Sequence, residues 1–124
     1  NTFHDLAGLN VGVRGDEAVG SALQVFNNLW AHNHTNQVML SGEHAYNAFY
    51  DNLRGDTPLD DAIEEATKQV LDAEPFVDAA AGDLRLTGPT AAGQELDPPF
   101  QVDLLGAARG ADGTWDRGAY EYGE

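Results

Sequence analysis

Cysteine is absent from this chain. Disulfide frameworks, thiolate catalysis and cysteine metal sites are excluded together, while the compartment is left open. Basic residues are scarce: 6 Lys and Arg stand against 21 Asp and Glu, a formal net charge of −15. A surface of that sign repels nucleic acid and polyanionic glycans unless cations intervene, so no nucleic-acid partner is expected. Solubility or adaptation to high salt is the plain account of such an excess. No apolar run approaches the roughly 20 residues of a membrane span, and no signal peptide is visible. The sequence opens on Asn1 and not on Met, which reads as a trimmed, processed or excised segment of a longer product.

What is present suits one domain of 124 residues, with 14 Gly and 5 Pro pointing to many turns. The acid is unevenly placed: residues 1–54 sum to −3, which leaves −12 for residues 55–124.

The first half contains a repeat. "NTFHDL" from Asn1, "NLWAHN" from Asn28 and "NAFYDN" from Asn47 each begin with Asn and carry an aromatic two residues on: Phe3, Trp30 and Phe49. Val11 and Val13 follow the first Asn at the offsets at which Val38 and Leu40 follow the second. Both pairs have the two-residue period of a strand with one buried face. The blocks are 27 and then 19 residues apart, a difference explained if Arg14–Ser21 is a loop inserted in the first copy. Short strands, a period near 20 and Asn at a fixed corner predict coils of a parallel β-solenoid, with corner amides bonding up the stack. A meander of antiparallel strands is the competing architecture.

The third copy gives way to a stretch of helical character over residues 59–73. Leu59, Ile63, Ala66 and Val70 form one apolar stripe, Thr57 suits the N-cap with Pro58 after it, and Pro75 is a stop. Phe76-Val77 and Leu84–Leu86 read as short strands around an Ala-Gly turn. Beyond Thr87 the chain is mostly glycine, proline and acid, closing on "DRGAYEYGE". Asp116 there can cap backbone donors, and Tyr120 and Tyr122 would lie across an exposed end, with Glu121 facing water on a last strand.

"PFVDAAAGDLRLTGPTAAG" and "DLLGAARGADGTWDRGAYEY" together resemble the C-terminal signature of secreted right-handed parallel β-helix proteins, the pectate-lyase-like repeat proteins of the choice-of-anchor Q type. The resemblance is close over roughly residues 74–122 and loose over the coils. It departs at "TAAGQELDPPF", where a Ser-Pro-Ala segment is usual. The fold it implies is mainly β: the end of a right-handed parallel β-helix of about two to three coils, with one amphipathic helix and an irregular C-terminal cap. Residues 1–56 would be the coils and residues 57–124 the helix, short strands and cap of the same domain. The setting it implies is secreted or cell-surface.

Candidate chemistry is sparse. Trp30, His32, His34 and Tyr50 are candidate carbohydrate contacts, since rings stack on sugars, although an aromatic column more often serves packing. His32 and His34 alternate as on one strand face, without a convincingly spaced third metal ligand. Asp112 and Asp116 flank a glycine and are candidate Ca2+ ligands; solvated acids and turn caps are the plainer reading. Three function classes stay open: a structural or adhesive, carbohydrate-binding segment; part of a polysaccharide lyase or glycoside hydrolase with its catalytic coils upstream; and a cap without ligand. The expected partners are upstream coils of the same precursor or a second copy, with polysaccharide as ligand.

Overall fold

Strands of two to four residues carry too few hydrogen bonds to stand alone. Here they hold because the chain returns to the same ladders. The computed structural model describes residues 1–8, 11–13, 24–35, 38–40 and 43–123. In chain order β1 (Thr2–His4), β2 (Ala7–Gly8) and β3 (Val11–Val13) come first. Next are β4 (Gln24–Phe26), β5 (Leu29–Ala31), β6 (His34–Thr35) and β7 (Val38–Leu40), then β8 (Glu43–Ala45), β9 (Ala48–Tyr50) and β10 (Leu53–Arg54). Parallel ladders join β1–β5–β9, β2–β6–β10, β3–β7 and β4–β8. The fold is mainly β with parallel sheets, and antiparallel pairing between these segments does not occur among the described residues.

The expected columns are present. Phe3, Trp30 and Phe49 are in register, and the Phe3 and Trp30 rings stack with centroids 3.9 Å apart. Val11 pairs with Val38 and Val13 with Leu40. The offset is 27 at that pair but 19 between β4 and β8, so the eight extra residues fall between Val13 and Gln24. The predicted insertion, Arg14–Ser21, itself lies outside the described residues.

Two columns of asparagine bind the corners. The Asn1 amide nitrogen donates to Asn28 Oδ1 at 3.3 Å, and Asn28 donates to Asn47 Oδ1 at 2.9 Å. A second column, beside the one that the Asn-aromatic repeat predicts, runs from Asn33 to Asn52 at 2.8 Å. Each buried amide also serves the backbone. Asn47 donates to the Val25 carbonyl, Asn52 to that of Trp30, and their oxygens accept from the N–H groups of Asn28 and Asn33. The residues just before these asparagines are left-handed: φ is 57° and 55° at Asn27 and Tyr46, and 56° and 52° at His32 and Asp51. Asp5, before Leu6, whose N–H donates to Asn33 Oδ1, has the same conformation at 51°. A bend that sharp strips backbone groups of ladder partners, and the corner amides replace them.

The helix expected over residues 59–73 does not form. Thr57–Pro58 is instead β11, paired antiparallel to β10, and only Asp60–Ala62 makes a 3-10 turn. Gln69–Val70 becomes β12, a fourth parallel strand on β9. Tertiary demand overrides the helical stripe. Asn52 and Asn47 need acceptors where their columns stop, and Asp60 Oδ1 (2.8 Å) and Glu65 Oε1 (2.7 Å) supply them. Carbonyls that a helix would have paired internally are met by Lys68, whose Nζ reaches those of Asp60, Asp61 and Ile63. Ile63 packs on the Trp30–Phe49 column, while Ala66 and Val70 of the stripe are exposed.

The sheet β1–β5–β9–β12 is covered on both faces. Phe3, Trp30, Phe49 and Ile63 fill one side. On the other, Leu29, Ala31 and Ala48 meet Phe76 and Leu86. Those two come from an antiparallel hairpin, β13 (Phe76–Asp78) and β14 (Asp83–Leu86), turned through Ala79–Ala81 and the left-handed Gly82 as the sequence suggested. The tail beyond it carries little regular structure. "GAYEY" is not a strand, and Glu121 is buried instead of facing water.

Candidate functional site

The four residues proposed for carbohydrate contact do not gather in one place. Trp30 has no exposed surface. It belongs to the internal ring column and cannot receive a sugar. His34 is exposed, and its Nε2 donates to the Gly55 carbonyl at 2.6 Å. His32 and Tyr50 do meet, in a T-shaped contact of 5.2 Å, and His32 touches His4 in the same way at 5.4 Å. Ala31 stands in register between His4 and Tyr50. With only a methyl at that level, the ring of the next residue bridges the two.

Carboxylates face both nitrogens of His32: Asp51 lies 3.1 Å from Nδ1 and Glu74 lies 2.6 Å from Nε2. A neutral imidazole has one donor and one acceptor, so only the protonated ring donates to both. Both acids are more than two-fifths exposed. Tyr50's hydroxyl is pushed up by burial and then by the charges of Glu74 and Asp51. The ridge therefore offers ring edges and carboxylate oxygens, chemistry that suits hydroxyl donors. It lacks a carboxylate pair free to act as acid and base.

The two proposed calcium ligands also separate. Asp112 is exposed and accepts from the Thr114 N–H within its own turn. Asp116 is wholly buried, accepting from Thr90 N–H and hydroxyl through Oδ1 and from Tyr122 N–H through Oδ2. Those donors engage both of its oxygens, and the expected capping role is the one it fills. Among the described residues no three His, Asp or Glu side chains are grouped to hold a metal ion.

Asp116 belongs to a buried polar network that holds the tail against the ladders. Arg117 donates to the carbonyls of Asn47 and Thr67 from Nη1, of Ala92 from Nη2 and of Ala91 from Nε, all within 3.1 Å. Its guanidinium also lies over the Tyr46 ring, 5.8 Å from the centroid. Burial pulls the Arg117 guanidinium below its ordinary range, opposed by the charges of Glu65 and Tyr46. Arg109 reaches Glu121 at 3.1 Å and the carbonyls of Asp116 and Gly118. Asp103 accepts from the N–H groups of Leu105, Ala107 and Glu121. The sequence signal was the clustering of Asp103, Arg109, Asp116 and Arg117 in the resembling motifs; their burial had no signal of its own.

The tail also encloses a cleft of about 520 Å³ against the first strands, walled by Phe3 and β4 on one side and by Phe100, Val102, Leu104 and Trp115 on the other. Two charged residues line it, and both are engaged within the network: Asp103 and Arg109. In a chain of net charge −15, a cleft without a free carboxylate is distinctive. Comparison with family models, with curated proteins and with solved structures returned no match.

Proposed function

We propose that this chain is the C-terminal end of a right-handed parallel β-helix in a secreted or cell-surface protein, a structural and adhesive segment that terminates the stack. The observation that carries this reading is the polarity of the asparagine columns. In each, amide nitrogen points to the next amide oxygen, and a carboxylate that can only accept closes the series: Glu65 for Asn28 and Asn47, Asp60 for Asn33 and Asn52. A carboxylate has no N–H to pass on, so the columns stop there. The hairpin and the Arg117 clamp then cover what would otherwise be an exposed sheet face. In the other direction the pattern is open, because Asn1 Oδ1 can accept from one more amide.

The test is to fuse an array of copies of residues 28–46 either before Asn1 or after Gly123. Arrays placed before Asn1 should remain soluble and monomeric, and the same arrays placed after Gly123 should aggregate through their uncovered ends. Equal behaviour of the two fusions refutes the reading. A second role is favoured by the His4–His32–Tyr50 ridge with Asp51 and Glu74, which suits a neutral polysaccharide. Calorimetric titration with neutral oligosaccharides should show binding that Tyr50→Ala abolishes; no heat from the parent chain rejects it.

A further inference from the structure

The cleft beside β4 is built for a definite occupant. Among the described residues β4 pairs with β8 alone, so its other edge faces the cleft. Every strand of the first passage lies on its counterpart 27 residues later: Thr2 on Leu29, Ala7 on His34, Val11 on Val38. At that same offset, the positions opposite Gln24–Asn27 are those of four residues leading directly into Asn1. We propose that the cleft holds such a segment, an extended stretch that enters the Asn1 corner and adds a parallel strand to β4, with the Phe100–Leu104 loop closing over it as a clasp. This rests on the β-helix reading above.

Three observations point the same way. The wall is apolar and presented: Phe100, Val102 and Leu104 are 59%, 53% and 70% exposed. It is also fixed in place, since Leu104 N–H donates to the Ala119 carbonyl and Ala119 N–H to Thr2 Oγ1, both at 3.0 Å. Apolar groups held that firmly toward an open strand edge make a docking face. Finally, the cleft presents no free carboxylate, so an apolar segment meets no charge it would have to bury unpaired. A second copy of the chain fits worse. Two copies joined symmetrically at this edge would run antiparallel and break the register of the Asn and aromatic columns, and each would bring its charge of −15.

The experiment fuses a copy of residues 24–27, Gln-Val-Phe-Asn, directly before Asn1, so that the first corner is entered as the Asn28 corner is. A Gly-Ser-Gly-Ser fusion is the control. The copied block should raise the melting temperature by on the order of 4 °C over the control and slow amide exchange in Gln24–Phe26, with the chain still monomeric by sedimentation. Phe100→Ser with Leu104→Ser should remove most of that gain while leaving the melting temperature of the control fusion within about 2 °C. A gain that survives the double substitution overturns the clasp, and a gain seen only in a sedimenting dimer overturns the choice of occupant. No gain over Gly-Ser overturns both. If the array fusions before Asn1 still behave as monomers, that failure falls on the cleft and not on the β-helix reading.

Discussion

Replacing Arg117 by Met keeps most of the buried stem and removes the guanidinium, which isolates the clamp from its packing. Arg117 is 4% exposed and donates to four carbonyls. The loss is smaller than four bonds. The Asn47 carbonyl still accepts from Gln69 N–H, and Ala91 is exposed, so its carbonyl is open to solvent. The carbonyls of Thr67 and Ala92 keep no other donor among the described residues. Thr67 is half-buried, and its stripped carbonyl costs about 1–3 kcal/mol, whereas that of the exposed Ala92 turns to water at little cost. The lost contact with Tyr46 adds about 0.5–1 kcal/mol. Relief from burying a cation offsets part of this. The net expectation is a destabilisation of about 2 kcal/mol, or a melting temperature lower by about 7 °C. Arg117→Lys should recover less than half, because one ammonium cannot span carbonyls on three segments. Urea titration followed by Trp115 fluorescence in a Trp30→Phe background measures the change, and amide exchange at Gly118 shows whether the tail has come away from Asn27. A loss below about 1 kcal/mol with Gly118 still protected would refute the clamp.

The asparagine column makes its own demand. Asn47→Asp is nearly isosteric but sets a carboxylate against Glu65 and the Val25 carbonyl, both of which now accept from the Asn47 amide. It should cost about 3–5 kcal/mol by chemical denaturation; a loss equal to that of an exposed Asn would show the column is not holding the corner. Gly93→Ala places a methyl 2.5 Å from Asn27 Oδ1 and 2.9 Å from the Trp115 carbonyl, whereas Gly88→Ala meets nothing within 4 Å. Thermal melts should show the first destabilised by about 1–3 kcal/mol and the second unchanged. Burial raises the carboxyls of Asp60 and Glu121 above their ordinary range. The folded chain therefore holds protons that the unfolded chain has released. Their contribution is full below the unfolded values and is lost as pH rises through the raised ones. Melting temperatures taken from about pH 4 to pH 7 should fall with rising pH, and Asp60→Asn with Glu121→Gln should flatten that slope.

What the sequence determined by itself is whatever recurs along it. Asn and an aromatic at fixed offsets can be satisfied only by similar neighbours above and below, so Asn1, Asn28 and Asn47 stack, as do Phe3, Trp30 and Phe49. The hairpin was legible for a local reason, with strand formers on either side of a left-handed glycine. Asn33 and Asn52 closed two of the same six-residue blocks, and the second column could have been read from them. Tertiary structure decided the rest. Residues 59–73 carry a helical stripe, yet two buried amide columns needed acceptors and β9 had a free edge, and those bonds outweigh local propensity. The same holds for the tail. Neither the burial of Asp116, Arg117 and Glu121 nor the separation of Asp112 from Asp116 has a period to read. Their partners lie on other segments, Thr90 and Asn47 among them, and only folding brings those within hydrogen-bond reach.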